Sequence, residues 1–550
     1  MTEQFNPEMQ EIKIHTDVLV IGGGHTGLAA AKKIAETGYP VVLIESGEKI
    51  GGQCESRPSA GLGIEAKKIL AGLAEDVKQS KNIEVLTSAR LASSKGEPGD
   101  FTVRLNVAGG EVEKRVGAIV VATEFSPVPL NDKYSLPLSE RIISLTQLEA
   151  KLAGSDKKQL ANKSVAFLFG FVQENHPLIM ERVFRNVLAL EELEGCTPYI
   201  YAGNLKVAED GLERIYLESR NKGATYFKLK EAPVVGNGGE TISFLDPVLG
   251  KDLELSPDLI VIEESMVADP VNAELSEILK IDLGPMAFLQ TDNVHRFPVR
   301  SNREGVLLVG GARNIQGMAS AMMDVENAVL ELKSFLKNGK AMVQINKAVL
   351  DIGKCTFCLT CYRCCPHGAI LWDQSNKPVI CPMACQGCGI CASECPMNAI
   401  QVGGFHDTEI LDALKNGKAE APDQPKIVAF CCQNSAHEAG IMAEAFNMPK
   451  PGNLQMVKVP CAGKVDLDYM MNAFVEGADG VLVMACHSGN CKSERGNTYA
   501  KWRVDDLHRM MEEMGLEKER LGFVTLASNM GSGFSEALTS LERLLKDLKK

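Results

Sequence analysis

From Asp17 to about Leu350, short apolar runs alternate with amphipathic stretches. VVLIE (41–45), AIVVATE (118–124), SVAFLFG (164–170), DLIVIEE (258–264) and GVLLVGG (305–311) are continuously apolar instead of alternating. That is the pattern of strands covered on both faces, and the segments between them carry the helical period. Strand and helix in repetition predict an α/β fold on parallel sheet. The periodicity is lost between Cys355 and Cys395, where Gly and Pro are frequent, so a metal and not an apolar core must organise that segment. A polar stretch, HDTEILDALKNGKAEAPDQP, reads as a short helix and a linker. Beyond it KIVAF and GVLVMAC predict strands, and WRVDDLHRMMEEMGL and FSEALTSLERLLKDL predict helices, giving a compact C-terminal α/β domain. The expected organisation is residues 1–350 with a middle subdomain at about 155–285, then 351–405, a linker at 406–424, and 425–550.

Composition narrows the chemistry. Seventeen cysteines, fifteen of them between Cys355 and Cys491, do not form the paired framework of a small secreted fold, and clustered thiols in an intracellular protein bind metal. The N-terminal sequence has no signal-peptide pattern, and no apolar run reaches the ~18 residues of a membrane span. A cytoplasmic address is expected. The formal charge of -13 excludes nucleic-acid and anionic-membrane surfaces, because no basic stripe is present to neutralise phosphates. Proteins and small redox carriers are the expected partners. No Ser-His-Asp constellation, paired-carboxylate motif or Walker loop is present, so no catalytic residue is assigned, and substrate chemistry is expected on partner subunits.

The strand DVLVI runs into GGGHTG and the helical LAAAKKIAETG, placing Gly22, Gly24 and Gly27 in the G-x-G-x-x-G pattern. The glycines permit the tight turn, the approach of a pyrophosphate and close helix–strand packing, with phosphates facing a helix N-terminus. Glu45 ends the next strand, where a carboxylate accepts hydrogen bonds from ribose hydroxyls. FAD and NAD share this fingerprint. GEKIGGQ, AIVVATEFSP and GVLLVGGAR resemble, in order, the second glycine pair, the A-T-G strand and the late flavin motif of two-dinucleotide-binding flavoproteins, with Glu124 replacing the usual Gly and Gly311 an Asp. The resemblance implies FAD and a cofactor-binding set of Gly22, Gly24, Gly27, Glu45, Ser46, Gly51, Gly52, Gln53, Leu91, Ala122, Thr123, Glu124, Gly310, Gly311 and Met318. The middle subdomain opens with SVAFLFGFVQENHP, which has only Gly170 where a second nucleotide fingerprint is needed, so NAD(P)H is not expected there. Cys54 matches the first cysteine of disulfide reductases, but Ser59 stands at the second position, so no redox dithiol is expected; Cys54 and Cys196 read as bystander thiols.

CTFCLTCYRCCP contains C-x2-C-x2-C-x3-C-P, and the same run returns thirty residues later as CQGCGICASECP. This is the two-cluster bacterial ferredoxin signature, in which the fourth cysteine of each run ligates the other cluster. The predicted 4Fe-4S ligand sets are Cys355, Cys358, Cys361 and Cys395, and Cys385, Cys388, Cys391 and Cys365; Cys364 and Cys381 are spares. Zinc uses four ligands in two pairs and does not explain two such runs. In the C-terminal domain Cys486 and Cys491 fit a C-x4-C loop, and Cys461 with either Cys431 or Cys432 completes four thiolates. A zinc or reactive-thiol site is the alternative, and His487 reads as structural.

P-C-x-G-K-V-D, G-A-D-G-V-L-V and C-H-x-G-x-C-x-x-x-x-G-N resemble the delta subunit of methyl-viologen-reducing hydrogenase. That resemblance implies a 2Fe-2S cluster on Cys432, Cys461, Cys486 and Cys491, with Ser435 where another cysteine is usual. The whole order resembles the A subunit of heterodisulfide reductase with a fused delta domain, and the B subunit of quinone-interacting oxidoreductases of sulfate reducers. It implies an FAD and iron–sulfur subunit relaying electrons within a complex, with heterodisulfide reductase B- or C-like, hydrogenase, formate dehydrogenase or quinone-interacting subunits as partners. A homodimer inside the complex and attachment to the inner membrane face through partners are compatible with it. In some members the FAD bifurcates electrons. The rival readings are a self-contained NAD(P)H-dependent flavin/iron–sulfur reductase and a structural zinc scaffold.

Overall fold

Val18–Ile21, the strand that feeds the glycine turn, lies at the centre of a five-stranded parallel sheet in the order Val306–Leu308, Ala118–Val121, Val18–Ile21, Val41–Ile44 and Ile83–Leu86. The computed structural model describes residues 5–51, 63–236, 238–289, 298–417, 421 and 423–548. Every residue of the three middle strands is buried, as their unbroken apolar sequence requires. Helices His25–Glu36 and Met318–Leu336 pack together on one face, and the antiparallel sheet Arg90–Glu97, Asp100–Val107 and Gly110–Val116 covers the other.

A second parallel sheet runs Ile142–Ser144, Leu259–Ile262, Ser164–Phe169, Thr197–Ala202 and Thr225–Lys228. It takes its edge strand and the helix Leu145–Ala153 from residues ahead of position 155, the expected start of the middle subdomain. Ser144 caps that helix in a reciprocal capping box with Gln147, which fixes its start. The paired strands Phe125–Pro129 and Glu264–Ala268 join the two sheets. Both sheets together form a Rossmann-like α/β architecture.

The cysteine-rich segment is two short copies of one design. Helices Thr360–Cys364 and Ile390–Ser393 each follow a left-handed residue, Leu359 (φ 64) and Gly389 (φ 84). Two antiparallel pairs, Ala348–Leu350 with Ile400–Val402 and Ile370–Trp372 with Pro378–Ile380, flank them. The C-terminal sheet is parallel, in the order Leu454–Val459, Ile427–Cys432, Gly480–Ala485 and Leu521–Thr525. Helices Ala436–Ala445 and Gly531–Leu548 cover one face, and Leu467–Val475 and Gly496–Glu513 the other. The helix Asp407–Asn416, expected to lead into a linker, is part of this domain: Ile410 and Leu414, one turn apart, enter its core. Among the described residues no helix is long and apolar enough to cross a membrane.

Candidate redox sites

The glycine turn at the end of the first sheet opens on a cavity of about 710 Å3. Gly22 has φ +107, and a Cβ there would stand 2.5 Å from the Ala122 carbonyl oxygen; a Cβ on Gly27 would stand 1.8 Å from the Gly22 oxygen. Neither position admits a side chain, which is how this fingerprint brings a helix N-terminus onto a strand end. Glu45 accepts from the Gly23 and Gly47 amides at 2.7 Å each. Glu45, Ser46, Leu91, Ala122, Thr123 and Glu124 line the cavity with Gly22 and Gly24. Gly51 is buried and donates to the Gly23 carbonyl at 2.8 Å, while Gly52, Gln53 and Cys54 lie outside the described residues. Gly310 and Gly311 close against Thr26 and Glu124, and Met318 opens the helix behind them without lining the cavity. Asp324 supplies the carboxylate of this late loop, accepting from the Gly310 amide at 3.0 Å and from Arg313 at 2.9 Å.

Sequence reasoning missed two features of this site. The far wall comes from Asp269 and the helix Val271–Leu279, which reach the cavity from the distant end of the second sheet; Asn272 accepts from the Thr123 hydroxyl at 2.7 Å. Glu124 lies across the turn: its carboxylate would meet a Cβ on Gly24 at 2.0 Å and pairs with His25 Nδ1 at 2.9 Å. A dinucleotide fits the cradle, with Glu124 as the side chain that must yield to its pyrophosphate. Thr26, buried with a hydroxyl that has no hydrogen-bond partner, is an orphan polar group at the same turn.

The second sheet ends its corresponding strand at Gly170 (φ +74), but here the turn is filled by the protein itself. The Gly170 amide donates to Glu263 at 3.1 Å, Asn204 donates to the Gly170 carbonyl at 2.9 Å, and a Cβ on Gly170 would stand 2.8 Å from the Asn204 nitrogen. Tyr134 donates to Glu263 at 2.6 Å. Burial raises the Glu263 pKa despite these donors.

The cysteines assemble into three sets. Cys355, Cys358, Cys361 and Cys395 line one small pocket with Phe357, Leu359, Trp372 and Met397. Cys385, Cys388 and Cys391 stand close enough to Cys365 to perturb one another's ionisation, and burial pushes the Cys388 thiol up to about 12. Matching amides donate to matching sulfurs: Phe357 to Cys355 and Gly387 to Cys385 at 3.4 Å, Ala369 to Cys365 and Ala399 to Cys395 at 3.3 Å. Cys364 and Cys381 are buried outside these sets, with Cys364 donating to the Cys361 carbonyl.

In the C-terminal domain four thiols close a ring. Cys432 and Cys486 are 3.7 Å apart, and Cys461 and Cys491 stand close enough to them for the four thiols to perturb one another's ionisation. The sharing alternates, so acceptance from two neighbours lowers the Cys432 and Cys491 thiols while donation raises Cys461 and Cys486. Strand pleat decides which of the adjacent cysteines takes part. Val428, Phe430 and Cys432 face one core, Ile427, Ala429 and Cys431 the other, and the ring lies on the first side. Gly496 is required beside it, since a Cβ there would stand 2.2 Å from the Cys461 sulfur. His487 turns away, to Thr525 at 3.1 Å and the Met530 sulfur at 3.3 Å. Among the described residues no group of three Cys, His, Asp or Glu side chains is disposed to hold a single metal ion.

Residues 427–549 match the family described as methyl-viologen-reducing hydrogenase, delta subunit, and residues 16–160 that described as pyridine nucleotide-disulphide oxidoreductase. The ferredoxin:CoB-CoM heterodisulfide reductase A subunit of Methanosarcina mazei is 23% identical over 639 aligned residues, spanning 98% of this chain and 80% of the relative. The chain is heterodisulfide reductase A-like over nearly its whole length, and its C-terminal domain is like the hydrogenase delta subunit. In this A-like chain the fused domain is 33% identical to the iron-sulfur D subunit of the F420-non-reducing hydrogenase of Archaeoglobus profundus, over 23% of the chain and 91% of the relative. The thioredoxin reductase structure of Lactococcus lactis covers 59% of the A-like chain and 99% of its own at 17% identity, with a TM-score of 0.42.

The fused domain is pinned to the cysteine-rich segment by polar contacts that the sequence does not announce. Arg503 donates to the Gly463 and Val465 carbonyls at 2.9 and 2.7 Å and to Glu394 at 2.5 Å, and Ser393 donates to the Lys464 carbonyl at 2.6 Å. Buried Lys464 is itself held by Asp407 and Tyr469. The result brings Cys388 within electrostatic reach of Cys491.

Proposed function

We propose that the chain is an FAD and iron–sulfur electron-transfer subunit of a multisubunit oxidoreductase of the heterodisulfide reductase kind. The observation that carries this reading is the assembly, in one chain, of three separate four-thiol sets and an open dinucleotide cavity, with Cys388 of one set packed against the core that holds Cys491 of another. Cys355, Cys358, Cys361 and Cys395 are assigned to one 4Fe-4S centre, Cys365, Cys385, Cys388 and Cys391 to the second, and Cys432, Cys461, Cys486 and Cys491 to a 2Fe-2S centre. When bound, FAD supplies exchange of electrons in pairs or singly, and each iron–sulfur centre exchanges one at a time.

The chain's own residues supply the seats. Gly22 and Gly27 bring the helix N-terminus to the pyrophosphate, and Glu45 receives the ribose. Burial of the second thiol set and of the ring disfavours bare thiolates, a cost that a cationic cluster offsets. The names of the relatives point to a hydrogenase meeting the fused domain and other heterodisulfide reductase subunits meeting the remainder. Substrate chemistry then belongs to those partners.

Anaerobically purified protein is expected to contain about ten iron atoms, matching labile sulfide and one FAD per chain; zinc in place of iron contradicts the reading. Because the second sheet fills its own nucleotide turn, NADH and NADPH are expected to leave the flavin spectrum unchanged. Rapid stoichiometric bleaching restores the self-contained reductase.

A further inference from the structure

Four parts of the chain meet around one cavity that neither the dinucleotide cradle nor the thiol sets account for. It has a volume of about 70 Å3, several times the ~15 Å3 that one water needs, and among the described residues no cysteine lines it. The first sheet contributes the turn 300–305 ahead of strand Val306–Leu308, together with Glu331 of helix Met318–Leu336. His367 comes from the first cysteine repeat, Gln386 from the second and Lys492 from the fused domain. Gln386 and Lys492 are exposed while Arg303 and His367 are buried, so the cavity has a mouth and a floor.

The floor carries two polar groups that the fold leaves unsatisfied. Arg303 is 4% exposed; its Nη1 donates to the Leu279 carbonyl at 2.9 Å and its guanidinium lies over the Phe101 ring at 5.0 Å, yet its Nε has no hydrogen-bond partner. A Cβ on Gly368 would stand 3.9 Å from that Nε, which therefore faces the turn that carries His367. Among the described residues no carboxylate supports the Arg303 charge, and burial brings its pKa down to about 10. A guanidinium buried in this way costs free energy until an anion reaches it. His367 is 5% exposed, with Nδ1 2.9 Å from the Asn302 backbone oxygen. Burial disfavours the charged ring and a carbonyl only accepts, so Nδ1 carries the one proton. Nε2, which also has no partner, then offers a lone pair to the cavity.

The other charges decide what suits this pairing of a donor with an acceptor. Arg300 is held by Glu331 at 2.6 Å, which leaves Arg303 and Lys492 against the half-buried Glu304, two cations to one carboxylate. An anion is drawn in. His367 Nε2 and Glu304 are acceptors, however, so the anion must bring a proton of its own to satisfy them. Sulfate has none at neutral pH; hydrogen phosphate and bicarbonate do.

We propose that this cavity binds a small hydrogen-bearing oxyanion, of the class of hydrogen phosphate and bicarbonate, between Arg303, His367, Glu304 and Lys492. Seated there, the ion fastens the first sheet, the first repeat and the fused domain to one another.

The test uses the full chain with its flavin and iron–sulfur centres in place, so that the dinucleotide cradle is occupied. Isothermal titration calorimetry at constant ionic strength takes phosphate, bicarbonate and sulfate as probes. One phosphate or bicarbonate per chain is expected to bind, the tighter of the two identifying the ion, with sulfate weaker by about tenfold or more. Lys492→Met, at the exposed mouth, and His367→Leu, on the floor, are each expected to weaken binding about tenfold, with FAD content and circular dichroism unchanged. His367→Leu also narrows the gap to sulfate. If His367→Leu does not fold, Lys492→Met and the wild-type comparison with sulfate still decide. A wild-type chain that binds neither phosphate nor bicarbonate, or that binds sulfate as tightly, overturns the proposal. So does binding that Lys492→Met leaves intact, since the ion then sits elsewhere.

Discussion

Two parallel sheets of five strands are built into this chain, and among the described residues one ends in an open cavity while the other fills its own turn. At the first, glycines hold back from a 710 Å3 cavity. At the second, Asn204 and Glu263 close on Gly170 from both sides, and the neighbouring helices are locked by buried charge. Arg182 bridges Glu149 at 2.8 Å and Glu264 at 2.9 Å, all three nearly inaccessible to solvent. The same fold thus serves once as a cradle and once as a wall, since helix Val271–Leu279, which follows the second sheet, forms the far side of the first sheet's cavity. A nucleotide fold does not bind a nucleotide unless its turn is left empty.

Arg182→Ala cuts deepest into that contrast. Removing the shared cation leaves two buried carboxylates facing each other, a loss of about 3–5 kcal/mol. Denaturant unfolding should show it, together with loosened FAD through the displaced wall; unchanged stability breaks the idea that the second sheet is a locked scaffold. Glu124→Gly sharpens the contrast from the other side. Restoring the glycine usual in this strand motif clears the pyrophosphate's path and is expected to tighten FAD binding about fivefold, close to 1 kcal/mol. Equilibrium dialysis of the flavin checks it, and weaker binding instead assigns Glu124 a direct role in holding FAD.

The smallest expected effect is a pH dependence. Burial raises the Glu263 pKa above 4.5, so the fold favours its protonated form. That contribution is complete below the unfolded pKa and is lost as pH rises through the folded value. Hydrogen exchange in strand Ser164–Phe169 should show protection, corrected for intrinsic rates, declining in the wild type as pH rises above the ordinary carboxylate range. Glu263→Gln should flatten that decline.

What the sequence declared was chemistry enforced locally. Gly22, Gly24 and Gly27 are dictated by the backbone of a single turn, and the C-x2-C spacings by how one loop wraps one cluster. The choice between Cys431 and Cys432 was not legible in the local pattern, because Ile427–Cys432 is buried on both faces and only the folded domain shows that Cys432 shares a core with Cys461, Cys486 and Cys491. What stayed hidden arrives from afar. Asp269 and Asn272 reach the flavin cavity from about 150 residues beyond Thr123, as the Thr123–Asn272 bond shows. The filling of the Gly170 turn depends on Asn204 and Glu263, which no local pattern ties to it. Asp407–Asn416 reads as the start of a linker because its polar face dominates the composition, yet two residues one turn apart anchor it in the C-terminal core.

The central claim is that three sets of cysteine thiolates hold iron in redox-active form within this one chain. Electron paramagnetic resonance during an anaerobic potentiometric titration of the intact protein tests it most directly. The account predicts three reducible centres, two with 4Fe-4S and one with 2Fe-2S relaxation behaviour, the last abolished by Cys432→Ala and retained in Cys431→Ala. A fully metallated sample that shows no paramagnetic signal at any potential contradicts it.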